Sequence, residues 1–152
     1  MNYLDSPTTV ASLLRALPPD QLPVFGTLTP QHMVEHLSFV LGFSSGLRTA
    51  QQTVSPEKSA IYKAKFILGP DPFPKGVQLE RGNITLPPLS HPDMDAAVDD
   101  LLMSIETFHR YFEEHPEAAP VHPFFGPMTH AEWRVSHHKH FTHHLQQFNL
   151  IS

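Results

Sequence analysis

The chain has 152 residues, 40% hydrophobic and 16% charged, enough for one packed core and too apolar for a disordered segment. Ten Lys and Arg against 15 Asp and Glu leave a formal charge of −5 with His neutral, and the cations form no run or stripe. This balance excludes charge-driven binding of nucleic acid, and the absence of cysteine excludes disulfides, iron–sulfur clusters and thiol nucleophiles.

Met1 to Val10 has neither a basic start nor an apolar run, so no signal peptide is expected. Ser6 to Leu17 reads as a short opening helix, with Val10, Leu13, Leu14 and Leu17 at helical spacing and Pro18-Pro19 ending it. Loop is expected up to Leu28. Thr29 then caps a second helix, Pro30 suits its first turn, and Met33, Val34, Leu37, Val40 and Leu41 recur at helical period before Gly42 to Gly46. Ser55-Pro56-Glu57 opens a third in the same way, with Ile61, Phe66 and Leu68 apolar and Gly69-Pro70 closing it.

From Gly69 to His91 the chain is rich in proline. Val77, Leu79, Ile84 and Leu86 alternate with polar residues around Gly82-Asn83, the pattern of a short hairpin. Asp93 to Glu114 is the clearest helix, with Met94, Ala97, Val98, Leu101, Leu102, Ile105, Phe108 and Phe112 on one face. A second proline-rich loop precedes Thr129-x-x-Glu132, a capping-box pattern whose helix runs to about Phe148. Four substantial helices and one short one, lacking a sheet to pack on, must bury their stripes against each other. The expectation is an all-α bundle forming a single domain over residues 1–152. No stretch approaches the roughly 20 apolar residues that span a bilayer, so no membrane contact and a cytoplasmic location are expected.

Histidine is the anomaly: there are 12, and six lie between His130 and His144. Residues four apart on a helix share a face about 6 Å apart, so His140 and His144 can aim at one point. A metal site needs a third ligand from elsewhere, and His36, set among the core-type positions Met33, Leu37 and Val40, is the obvious donor. Three neutral imidazoles leave an open position, which points to chemistry rather than structural closure.

Two blocks carry a family resemblance. The first is Leu28-Thr29-Pro30-Gln31-His32-Met33-Val34-Glu35-His36-Leu37. The second is His122-Pro123-Phe124-Phe125-Gly126, then Met128-Thr129, Glu132-Trp133 and His140-x-x-His143-His144-Leu145-x-Gln147-Phe148. In order and separation they resemble the DinB-like superfamily of metal-dependent enzymes, in particular an uncharacterised-domain branch. That resemblance implies an up-and-down four-helix bundle, here with an extra short N-terminal helix and proline-rich loops. It also implies one ligand on an early helix, His36, and two on the last, His140 and His144. The metal is commonly zinc or nickel, and dimers are frequent. Members include hydrolases and transferases that use a low-molecular-weight thiol, so a small-molecule substrate is expected. Gln147, three residues after His144, matches a supporting position that would orient a ligating ring.

Other patterns compete for the same residues. His32-Met33-Val34-Glu35-His36 matches the inverted zinc-peptidase His-x-x-Glu-His but lacks that family's larger α/β domain. His32 stays a candidate accessory ligand one turn before His36. Gly42-Phe43-Ser44-Ser45-Gly46 matches Gly-x-Ser-x-Gly, yet it follows a helix where a nucleophile elbow follows a strand. Glu106-x-x-His109 is half of a di-iron pattern without its other half. His137 and His143 are expected to line the site or hydrogen-bond near it, and Trp133 to serve as core or pocket wall. His91, His109, His115, His122, His130 and His138 are expected at the surface, in loops or as caps.

The activity expected is attack on a small electrophile by a metal-activated water or a thiolate, with the general base unassigned. The pocket is expected near His36 and the last helix, its entrance shaped by loops Gly69 to His91 and Glu114 to Met128. A non-catalytic binding or interaction protein of the same fold is the alternative. A histidine surface that charges between about pH 5 and 7 is a third reading.

Overall fold

A computed structural model describes residues 1–75 and 86–152. The expected hairpin around Gly82-Asn83 lies outside the described residues. A 3₁₀ turn, Tyr3–Asp5, leads into α1 (Pro7–Arg15), α2 (Pro30–Ser44), α3 (Pro56–Phe66) and α4 (Met94–Glu114). Strands β1 (Val121–His122) and β2 (Gly126–Pro127) then precede α5 (His130–Gln147). The molecule is mostly helical, as its periodicity predicts. Within the proline-rich loop before α5, β1 and β2 form a two-residue antiparallel pair, with Val121 opposite Pro127 and His122 opposite Gly126, and the helical class stands.

The helix starts sit where the capping residues place them. Thr29, Ser55, Asp93 and Thr129 each accept the backbone N–H three residues on, and the Glu132 carboxylate answers the Thr129 N–H at 3.0 Å. Each cap contributes about 1 kcal/mol by giving an orphan first-turn donor a partner.

The stripe of α4 (Ala97, Val98, Leu101, Ile105, Phe108 and Phe112) is buried, and α2 lays Met33, Val34, Leu37 and Leu41 into the same core. These two helices make the most extensive pairing, and α1 also packs on α4, adding Val10 and Leu14 to the core. α5 touches α2 and adds Trp133, Phe141 and Leu145, with Phe148 just past its end. The Trp133 indole N–H donates to the Pro120 carbonyl at 3.0 Å, so burial leaves no polar atom of that side chain unpaired. Trp133→Ala is therefore expected to cost about 3–5 kcal/mol in urea unfolding, the penalty of a large cavity.

α3 departs from its expected amphipathic packing. Ile61 and Leu68 are 63% and 68% exposed, while Ser59 and Ile67 are buried. Polar ties hold this helix instead. Lys63 pairs with Glu132 at 2.9 Å, and Lys139 of α5 donates to the carbonyls of Phe66, Gly69 and Asp71 at 2.6, 3.0 and 2.7 Å. Among the described residues no helix is long and apolar enough to cross a membrane.

Candidate metal centre

α2 carries His36, while α5 carries His140 and His144 one turn apart. His36 Nε2 lies 3.0 Å from His140 Nε2, and His144 Nε2 lies 3.1 Å from the same atom. One ring nitrogen from each of the three lies within 4.8 Å of the others, so the group can hold a metal ion. The ring planes cross steeply, with centroids 4.9, 5.1 and 4.7 Å apart. In a tetrahedral zinc site with Zn–N near 2.0–2.1 Å, ligand nitrogens lie about 3.3 Å apart, within a few tenths of an ångström of the His36–His140 and His140–His144 separations.

Burial dominates the electrostatics. It pushes His36 down to about 4 and His144 down to about 3, and it holds His140 well below the ordinary imidazole value. Neighbouring rings add to each shift, and at His144 the Gln147 hydrogen bond opposes it. All three are thus neutral at pH 7, the state that ligates metals.

The hydrogen-bond network assigns the proton on His144. Its Nδ1 lies 2.8 Å from Gln147 Oε1, an acceptor, so Nδ1 carries the hydrogen and Nε2 presents a lone pair. His140 Nε2 faces that lone pair and His36 Nε2 together, and a neutral ring offers one proton at most for the two contacts. His140 Nδ1 is buried with no partner among the described residues. A cation between the three Nε2 atoms would satisfy every facing lone pair, and so the residues fit a metal.

Aromatic rings surround the cluster. His143, half-buried, stands edge-on to His144 at 4.9 Å and to Phe25 at 5.1 Å. Phe73 approaches His140 at 6.5 Å and Phe125 at 5.9 Å, so the loop after α3 and the β1–β2 turn both reach this end of the molecule. No signal in the sequence links Phe25, Phe73 or Lys139 to the site, because each acts through a tertiary contact.

Some expected site residues lie elsewhere. His32 shares a face with His36, but Thr29 Oγ1 lies 2.6 Å from its Nδ1 and the Pro87 carbonyl 2.8 Å from its Nε2. Both nitrogens being engaged, His32 does not join the three. His137 does not line the site either: it stacks on Trp133 at 5.1 Å, meets Phe108 edge-on, and burial pushes it down to about 3. Trp133 is core. His122, half-buried, acts as a cap, one of the roles expected of it: its Nδ1 accepts the Phe124 and Phe125 N–H groups and so shapes the β1–β2 turn. Glu35 is committed to Gln31 and to the backbone of Ser90 and His91, which turns it from His36 and anchors the loop before α4.

Ser44, the serine of Gly-x-Ser-x-Gly, lies 2.7 Å from His137 Nε2. The pair has the spacing of a nucleophile and its base, yet Ser44 is 0% and His137 1% exposed. Ser44 also donates to the Leu41 carbonyl at 2.9 Å. No substrate reaches this pair, so it is a hydrogen-bonded part of the core.

A family model described as a protein of unknown function (DUF1569) matches residues 79–150. Over that stretch the chain is similar to this family. The match takes in α4, both strands and α5 with His140 and His144, and it leaves out α2 with His36. No curated protein and no solved structure matches the chain.

Proposed function

We propose that the chain is a metal-dependent enzyme, a hydrolase or a thiol-dependent transferase acting on a small molecule, with one divalent ion held by His36, His140 and His144. The convergence of three neutral imidazole nitrogens from two distant helices carries this reading. The DinB-like up-and-down four-helix bundle is part of it, with α2 to α5 as the bundle, α1 as the extra helix and the whole chain as one domain. Its support is the helix order together with the two sequence blocks that hold the three rings.

Imidazole donors suit zinc and nickel, and three of them leave a tetrahedral ion one open position. When bound, such an ion supplies Lewis acidity, which polarises an electrophile or makes water or a small thiol nucleophilic at neutral pH. The protein's own groups do the rest. Gln147 fixes the ring of His144, Phe73 brings apolar surface beside His140, and Phe25 lies against the neighbouring His143. The Lys75 ammonium, 5.7 Å from the Phe25 ring centre, places a cation at that edge, suited to a substrate with an anionic group. A homodimer in the cytoplasm completes the reading.

Protein made without a histidine tag is expected to carry about one zinc or nickel per chain by elemental analysis. A folded parent that neither carries nor takes up metal would leave the non-catalytic binding protein as the reading.

A further inference from the structure

Residues Val24 to Gly26 lie more than a hundred positions before His144, and nothing in their sequence marks them as part of a site. The structure ties them to the end of α5 twice. The Val24 N–H donates to the Gln147 carbonyl at 2.8 Å, and Gln147 Nε2 donates to the Phe25 carbonyl at 3.0 Å. A backbone carbonyl can only accept, so the Phe25 oxygen decides which way round the Gln147 amide lies. The amide's other end, Oε1, must then face His144 Nδ1, as it does at 2.8 Å.

The orientation passes from a loop carbonyl, through one amide, to the imidazole proton. Gly26 leaves room for this arrangement. Its φ is +76°, and a Cβ there would stand 2.8 Å from Gln147 Nε2, too close for the amide to stay where it is.

We infer that the segment Val24–Gly26 is a positioning element for the proposed metal site: through Gln147 it holds His144 with Nε2 free and aimed at His36 and His140. This rests on the metal reading for its consequence, though not for its geometry. The free protein already holds the ligand in its metal-ready tautomer, which removes an ordering cost from binding.

Two measurements test it. Nitrogen-15 NMR of the chelator-treated protein at pH 7.5 is expected to show His144 protonated at Nδ1. In Gln147→Leu, which removes the acceptor, that preference is expected to be lost. Zinc affinity by chelator competition is expected to fall about ten- to hundred-fold in Gly26→Ala and in Gln147→Leu.

Gly46→Ala is the control for backbone strain. Gly46 has φ +78° and would press on the Tyr111 ring at 2.9 Å, so the substitution is comparably strained but touches nothing near Gln147. Its zinc affinity is expected to match the parent's. An Nε2-protonated His144 in the parent, or the same loss of affinity in Gly26→Ala and Gly46→Ala, would overturn the inference. A parent that binds no zinc but shows the Nδ1 proton, lost in Gln147→Leu, would sink the metal reading and leave the positioning role standing.

Discussion

His140→Leu is expected to remove the metal-dependent part of the stability while leaving the metal-free fold as stable as the parent, or more so. In the absence of an ion, His140 is a liability. Its Nδ1 is buried without a partner among the described residues, and its Nε2 faces two other ring nitrogens with one proton at most to offer. A buried polar atom left unpaired costs about 1–3 kcal/mol, and leucine of similar size removes that cost. With an ion present the balance reverses. Zinc at 100 times its Kd stabilises the parent by about 2.7 kcal/mol, which for a domain of this size raises Tm by about 5–10 °C. Thermal melts with chelator and with zinc separate these effects. Equal zinc shifts in parent and variant would take His140 out of the site, and a chelator melt several kcal/mol poorer would make it an ordinary core residue.

Acid is expected to unfold the metal-free protein well above the pH at which carboxylates protonate. His36, His137 and His144 are pushed down to about 4, 3 and 3, chiefly by burial, against an unfolded value near 6.5. Between those limits the unfolded chain binds more protons than the native one. The contribution of the neutral rings is therefore full above about pH 6.5 and is lost as pH falls towards 3–4. One such histidine costs about 1.4 kcal/mol for each pH unit, hence about 2 kcal/mol at pH 5. Three together rival the roughly 5–15 kcal/mol that holds a typical domain folded. Urea midpoints in chelator should drop steeply from pH 7.5 to pH 5. His137→Phe, which keeps the aromatic packing on Trp133 and removes a titrating ring, should shallow that dependence by about one proton. A midpoint flat over this range would mean that the native state accepts these protons at no cost.

Both expectations trace to the unusual composition of α5. Its buried residues are Trp133, Ser136, His137, Phe141, His144, Leu145 and Gln147, so imidazoles and other polar groups occupy positions that apolar residues mostly fill in α4. The amphipathic pattern that makes α4 plain is hidden in α5, because a histidine in sequence does not declare whether it will be charged at the surface or neutral inside. The capping box at Thr129 and Glu132 still places the helix start.

Local features were legible in the chain. Capping residues, prolines and apolar spacing set the five helices to within a residue or two, since first-turn hydrogen bonds and the helical repeat depend on neighbours a turn away. The same spacing brought His140 and His144 to one face. It made His36 the third donor and kept His32, one turn earlier, as a candidate accessory ligand, because positions one turn apart share a face on an isolated helix. Only the tertiary structure separated them, giving both nitrogens of His32 to Thr29 and Pro87 and turning His36 towards α5. The exposure of Ile61 and Leu68, the core place of His137 beside Ser44, and the hold of Val24–Gly26 on Gln147 were decided at that level too. Each depends on which surfaces meet across the fold, and chain spacing carries no record of that.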